Sequence, residues 1–181
     1  VAKAFNDLIK LQKEGKIKHI GVSNFGVEQL KEALATGVKL AVNQICYNLL
    51  FRGIEFEILP FCIENSIQVI CYSPLMQGIL TGRYETLEDI PLYRRRTRHF
   101  DSSKNEKSRH GEKGCESILF STLQKLTAYS KEINIPLSDL AIAYPLQKQG
   151  ISTVIVGATK KEQVLSNANA VESTPRSSAK R

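Results

Sequence analysis

The chain has 181 residues, 42% of them hydrophobic and 24% charged, and a formal net charge of +7. These proportions exclude global disorder and the collagen-like and coiled-coil classes. No apolar run reaches the roughly 18–20 residues that a membrane span needs, and the length suits one ordinary domain with a sizeable core.

In chain order, Val1–Glu14 reads as a helix, with Val1, Phe5, Leu8 and Ile9 at helical spacing and Gly15 just past its end. It starts on Val with no capping residue before it, which is how a chain cut from a longer one would look. Ile17–Val22 is a short strand, followed by a turn at Ser23–Gly26 and a helix over Val27–Ala35. A second strand is expected at Leu40–Tyr47. A helix follows over Glu55–Asn65, with Ile58, Leu59, Cys62 and Ile63 inward, and then a third strand at Gln68–Tyr72. Residues 75–116 form a long polar loop, of a length that is usually functional or disordered. Helix resumes at Ser117–Ile133, with Ile118, Leu119, Leu123 and Leu126 on one face. The next helix, Ser138–Lys148, carries Pro145, which should kink or stop it. Thr153–Val156 is a fourth strand and Lys161–Val171 a last helix; the Ser/Pro/basic tail, 172–181, is expected to be disordered.

Short apolar strands separated by helices predict an α/β fold built of parallel βαβ units. Four strands would fill a doubly wound sheet. A (β/α)8 barrel needs about 250 residues, so this chain could supply half of one. The G-x-G-x-x-G dinucleotide fingerprint of doubly wound sheets is absent. Cys46, Cys62, Cys71 and Cys115 contain no C-x-x-C pair and read as free thiols of a reducing compartment. His19, His99 and His110 show no metal spacing. The positive charge is partly local: residues 93–113 hold eight Lys/Arg against three Asp/Glu. Without interleaved aromatics or a nucleic-acid motif, this run reads as a solvated loop or a clasp on an anionic ligand.

The strand ends carry further information. Gly21-Val22-Ser23-Asn24-Phe25 closes the first strand, and Val42-Asn43-Gln44 lies on the second, before Tyr47-Asn48. Tyr72-Ser73-Pro74-Leu75 closes the third and continues into Gln77-Gly78-Ile79-Leu80-Thr81-Gly82-Arg83-Tyr84. Gly157-Ala158-Thr159, with Glu162-Gln163 and Asn167, opens the last helix. Taken singly, Ser23-Asn24 also reads as a helix-capping turn, Tyr72 as a core aromatic, and Gln163 with Asn167 as a solvated face. In this order and spacing they resemble the aldo-keto reductase superfamily, in the branch of potassium-channel β-subunits and bacterial general-stress reductases, over residues 1–171.

The resemblance implies a partial (β/α)8 TIM barrel matching strands five to eight, binding NADP(H) across the C-terminal ends of its strands. By resemblance, Ser23, Asn24 and Gln44 hydrogen-bond the nicotinamide carboxamide, and Tyr72 stacks on the nicotinamide ring. Ser73, Pro74, Leu75, Gln77 and Gly78 wrap the pyrophosphate, and Arg83, with Tyr93 and Arg95 beyond it, closes over it. Gly157 leads into the last helix, Thr159 and Lys160 meet the adenosine 2′-phosphate, and Gln163 and Asn167 meet the adenine. The family reduces carbonyls with a proton-donating Tyr helped by Lys, Asp and His on its first four strands. These should precede Val1, so no catalytic residue is assigned here. The expectation is therefore the NADP(H)-binding part of a cytoplasmic reductase of small carbonyl compounds. The chain alone should be inactive and free of metal, nucleic-acid and membrane partners, and the isolated half barrel should self-associate through uncovered strand edges. The alternative is a non-catalytic NADP(H)-binding or regulatory subunit, or a non-functional fragment.

Overall fold

The computed structural model describes residues 2–173. It contains one four-stranded parallel sheet in the order β1-β2-β3-β4, formed by Ile20–Ser23 (β1), Leu40–Cys46 (β2), Gln68–Tyr72 (β3) and Ile151–Ile155 (β4). The helices are Ala2–Lys13 (α1), Val27–Leu34 (α2), Ile58–Glu64 (α3), Glu116–Glu132 (α4), Leu137–Leu146 (α5) and Lys161–Ser173 (α6). The strands follow one another without the reversal of order that marks a doubly wound sheet. The chain divides into two compact units, residues 2–74 with 144–158, and residues 75–143 with 159–173. Among the described residues, no helix is long and apolar enough to cross a membrane.

The first unit has a core on one face of the sheet. Period-2 alternation sends Ile45 of β2 and Val69 and Cys71 of β3 to that face, all buried. There they join Phe5 of α1, Leu30 and Ala33 of α2, and Leu59 and Cys62 of α3. Leu30 is wholly buried, and a side chain of that size contributes about 1.5–3 kcal/mol on burial. Phe5 meets Phe25 edge to face, with ring centroids 6.4 Å apart, fixing α1 against the turn after β1. Burial pushes the Cys71 thiol up to about 12, so it stays protonated. Ile63, expected inward, is 40% exposed. It lies about 100° round the helix from Cys62, beyond the buried stripe.

A polar clamp joins the loop after β2 to the end of α5. Glu55 accepts hydrogen bonds from Tyr47, from Tyr144 at 3.2 Å, and from a forked Arg52 at 2.5 and 2.6 Å. Tyr47 and Tyr144 stack at 6.0 Å, and the Arg52 guanidinium lies 5.0 Å above the Tyr144 ring. Arg52, then Tyr47, hold the Glu55 carboxyl down to about 2, against an ordinary 4.5. A carboxyl depressed in the folded state stabilises fully above its unfolded pKa and loses that contribution as pH falls through the folded value. Glu55 should therefore cost the wild type stability between about pH 4.5 and 2. In chemical denaturation across this range, Glu55→Gln is expected to flatten that part of the acid limb. An unchanged slope would refute the assignment.

In the second unit, the segment 75–116 contains short 3₁₀ turns at Leu92–Arg94 and Ser102–Lys104, and a tight turn over Met76–Thr81 that is kinked at the left-handed Gln77 and Gly78. It is closed by Ser102 N–H to Glu112 O (2.9 Å) and Cys115 N–H to His99 O (2.8 Å). On α4 the buried stripe is Leu119, Leu123 and Ser130. Ile118, expected on that face, is 68% exposed because it stands 100° round from Leu119. Helix α5 stops one residue after Pro145, as a missing N–H and a ring clash require. Helix α6 runs to Ser173, two residues into the tail expected to be disordered; residues 174–181 lie outside the described part.

Candidate functional site

The register of the sheet assembles the first part of the site. Partners across a parallel pair share a face, and Ser23 pairs with Gln44, Cys46 with Tyr72, and Tyr72 with Ile155. This face is opposite to the one that carries Ile45, Val69 and Cys71. Ser23, Gln44 and Tyr72 therefore stand together at the C-terminal ends of β1, β2 and β3, and Asn24 joins them from the turn. Ser23 Oγ donates to Gln44 O at 3.0 Å, Asn24 Nδ2 donates to Ser23 Oγ at 3.3 Å, and the Tyr72 hydroxyl donates to Asn24 Oδ1 at 2.9 Å. Burial is the largest influence on the Tyr72 phenol and pushes it up, so it remains a donor. Among the described residues, the Gln44 amide makes no side-chain hydrogen bond; its donor and acceptor are both available to a ligand amide.

Two buried asparagines position this cluster. Asn43, wholly buried, donates to Phe25 O at 3.0 Å and accepts from Phe25 N–H at 3.4 Å. It thereby ties β2 to the turn that carries Asn24. Asn48, also wholly buried, donates to Ser73 O at 2.9 Å and accepts the N–H groups of Leu50 and Phe51 at 2.9 Å. It fixes the turn after β3. Neither role was expected. The available signal is a full-amide side chain within or just after an apolar strand, where burial demands hydrogen-bonding partners.

Backbone strain concentrates at the same loops. Among the described residues, six non-glycine residues have positive φ, and four of them are Asn24, Ser73, Met76 and Gln77. Such conformations cost on the order of 1–3 kcal/mol each and persist where the surroundings over-determine them, typically at functional sites. Pro74 and Gly157 complete the first unit's share of the expected residues. Pro74 is buried, and a Cβ added to Gly157 would meet no atom within 4 Å.

The second unit carries Leu75, Gln77, Gly78 and Arg83 on its first turn, and Thr159, Lys160, Gln163 and Asn167 at the start of α6. Leu75 O accepts from Gly78 N–H at 2.8 Å and from Leu80 N–H at 3.1 Å. Gly78 has φ +91, and a Cβ there would stand 2.5 Å from Arg83 Nη2 and 2.7 Å from Arg94 Nη1. Arg95, expected to close over this turn, instead donates to Ile90 O at 2.7 Å and Glu88 O at 3.4 Å. At α6, Gln163 Oε1 accepts from Thr159 N–H at 2.7 Å and from Thr159 Oγ1 at 3.2 Å. Lys161 leans on Glu162 at 3.9 Å, both largely exposed, while Lys160 has no ion pair among the described residues. Asn167, one turn beyond Gln163, is half-buried.

The cluster of the first unit can recognise an amide and offer an aromatic face; the first turn of the second unit, taken by itself, can meet an anion with guanidinium groups. Among the described residues, no group of His, Cys, Asp and Glu could hold a metal ion.

Comparison with known proteins gives a consistent result. The model of the Aldo/keto reductase family matches residues 1–179. An NADH-specific methylglyoxal reductase of Escherichia coli (strain K12) is 30% identical over 171 residues, covering 94% of this chain and 49% of that protein. A probable voltage-gated potassium channel subunit beta of Oryza sativa subsp. japonica is 32% identical over 164 residues, covering 86% and 47%. The structure of a glycerol dehydrogenase from Gluconobacter oxydans is similar with a TM-score of 0.73 and 25% identity, over 94% of this chain and 48% of that one. The chain thus spans about half the length of the proteins it matches.

Proposed function

Because this chain belongs to the aldo/keto reductase family, we propose that it carries the nicotinamide-dinucleotide site of a reductase of aldehydes or ketones. On this reading its strands are five to eight of a (β/α)8 barrel, and the dinucleotide is NADP(H). The observation that carries the reading is the joined Ser23–Asn24–Tyr72 cluster beside the open Gln44 amide. Its donors and acceptors fit a carboxamide, and its aromatic ring fits a flat heterocycle. When bound, the dinucleotide supplies a hydride to the carbonyl carbon. Ser23, Asn24 and Gln44 orient the carboxamide, and Tyr72 holds one ring face and excludes water from it. Ser73, Pro74, Leu75, Gln77, Gly78 and Arg83 take the diphosphate. Gly157, Thr159, Lys160, Gln163 and Asn167 take the adenosine end.

The proton for the carbonyl oxygen falls, in this proposal, to a tyrosine outside residues 1–181. Tyr47 is unsuited to it, because it is wholly buried. Burial, then the hydrogen bond to Glu55, pushes its phenol far above the ordinary range, so it keeps its proton. A positioned acid is typically worth 10²–10⁴-fold in rate. A second reading, a nicotinamide-binding regulatory subunit without turnover, is supported by the likeness to proteins described as potassium channel subunits beta.

Cofactor choice tests the proposal, given a relative described as NADH-specific. The two cofactors differ by a 2′-phosphate, and Thr159, Lys160 and Lys161 supply a hydroxyl and two cations at a helix start. Each exposed charge contributes about 0.3–1 kcal/mol. Lys160→Ala with Lys161→Ala is expected to weaken NADPH about fivefold or more in fluorescence titration, with NADH unchanged. Equal effects on both cofactors, or none, would remove the 2′-phosphate assignment. Absence of binding of either dinucleotide to the wild type would remove the function.

A further inference from the structure

We propose that the groove between α2 and α3 is a docking site for a basic amphipathic helix of a partner protein. The groove has a volume of about 680 Å³ and lies wholly within the first unit. Its floor is apolar, formed by Val27 at the start of α2 and by Phe56, Pro60 and Phe61 at and along α3. Phe56 is 82% exposed, the highest value among the large hydrophobic residues described. Pro60 is exposed as well, and Phe61 is partly buried. Exposed this fully, Phe56 contributes almost nothing to folding, and clustered exposed apolar residues mark contact surfaces.

The rim specifies the partner. Glu57, the residue before α3, is followed by Pro60, Phe61 and Glu64 at i+3, i+4 and i+7, which is one face of a helix. Two carboxylates thus flank the apolar floor two turns, about 10 Å, apart. Among the described residues neither Glu57 nor Glu64 has an ion pair. Glu28, across the groove, is paired with Lys31 at 2.8 Å. In a chain of net charge +7, two unpaired carboxylates around an exposed ring select a cationic ligand. A helix laid along α3 would meet both with Lys or Arg side chains seven residues apart and set an apolar side chain between them on Phe56 and Phe61. A cation there also gains the face of the Phe56 ring.

The chain's own basic segments do not fit this surface. In the run 93–113, Arg94, Arg95 and Arg98 are held by Gln77 O, Ile90 O and Glu112 within their own unit. Lys3 and Lys10 of α1 have the seven-residue spacing, but Asn6 and Asp7 lie between them. The match is therefore to another protein and not to a second copy. None of the residues lining the groove belongs to the Ser23–Asn24–Tyr72 cluster, so docking and dinucleotide binding are separate properties.

The probe is a fluorescein-labelled peptide of about 14 residues of alanine, lysine and leucine, helix formers by propensity, with two lysines seven residues apart and leucines between them. Anisotropy titration with the full chain is expected to show saturable binding that weakens as salt is added. Phe56→Ala should weaken it about tenfold. Glu57→Gln with Glu64→Gln should weaken it about fivefold and remove most of the salt dependence. All three side chains are exposed, so these variants should melt as the wild type does. A peptide with glutamate in place of both lysines should bind at least fivefold more weakly than the lysine peptide. No saturable binding of the lysine peptide, equal binding of the glutamate peptide, or binding unchanged by Phe56→Ala would each overturn the proposal. So would self-association in analytical ultracentrifugation that Phe56→Ala abolishes, which would assign the groove to a second copy of the chain.

Discussion

Gly114→Ala is expected to destabilise the protein by roughly 3 kcal/mol, from overpacking and a forbidden backbone conformation together. Gly114 has φ +77, and a Cβ there would stand 2.5 Å from the Phe100 carbonyl carbon, 2.6 Å from Asp101 N and 2.9 Å from His99 O. All three are backbone atoms, so no side chain can swing aside. They belong to the strip that closes the long segment, where Cys115 N–H meets His99 O and Asp101 N–H meets Glu116 Oε1 at 2.7 Å. Gly111 is the internal control. Its φ is +74, but a Cβ there would meet nothing within 4 Å, so Gly111→Ala should cost only the conformational part, about 1 kcal/mol. Urea denaturation of both variants decides. Equal losses would mean that close packing at Gly114 contributes nothing.

Tyr72→Ala should weaken nicotinamide-dinucleotide binding by about ten- to a hundredfold. An aromatic platform under a heterocycle is typically worth about 1–3 kcal/mol. Tyr72→Phe separates the ring from the hydroxyl. It keeps the stacking face and removes only the donor to Asn24 Oδ1, so it should lose much less. Fluorescence titration with NADPH compares the three proteins. If Tyr72→Phe were as weak as Tyr72→Ala, the hydroxyl rather than the ring would carry the interaction, and the stacking role would be wrong.

Much of this architecture was legible because strands and helices advertise themselves by period. Gln68–Tyr72 is the strand the sequence predicts, since Val69-Ile70-Cys71 is an apolar, partly β-branched run bounded by polar residues. Periodicity identifies a helix more securely than it identifies the boundary of the buried stripe, and Ile63 and Ile118 fell just outside it. Ser23, Asn24, Gln44 and Tyr72 are grouped in the sequence by the family resemblance, and the sheet register brings them together at neighbouring strand ends. Arg94 and Arg95 could not be told apart, because side-chain direction in an irregular loop obeys no period. The Glu55 clamp escaped for another reason: Glu55 reads as an ordinary helix-start residue, and its partner Tyr144 is 89 positions away.

Chain connectivity bears on the order in which the sheet forms. Residues 47–67 separate β2 from β3, whereas residues 73–150, almost four times as many, separate β3 from β4. Closing the longer loop costs about 1 kcal/mol more chain entropy. The β2–β3 pair is also in uninterrupted register, while the β3–β4 ladder slips between Val69 and Ile70. Both effects favour early pairing of β2 with β3 and late arrival of β4, after the intervening segment has collapsed. Until then β3 presents a bare edge, and the growing polypeptide is open to pairing with the wrong strand.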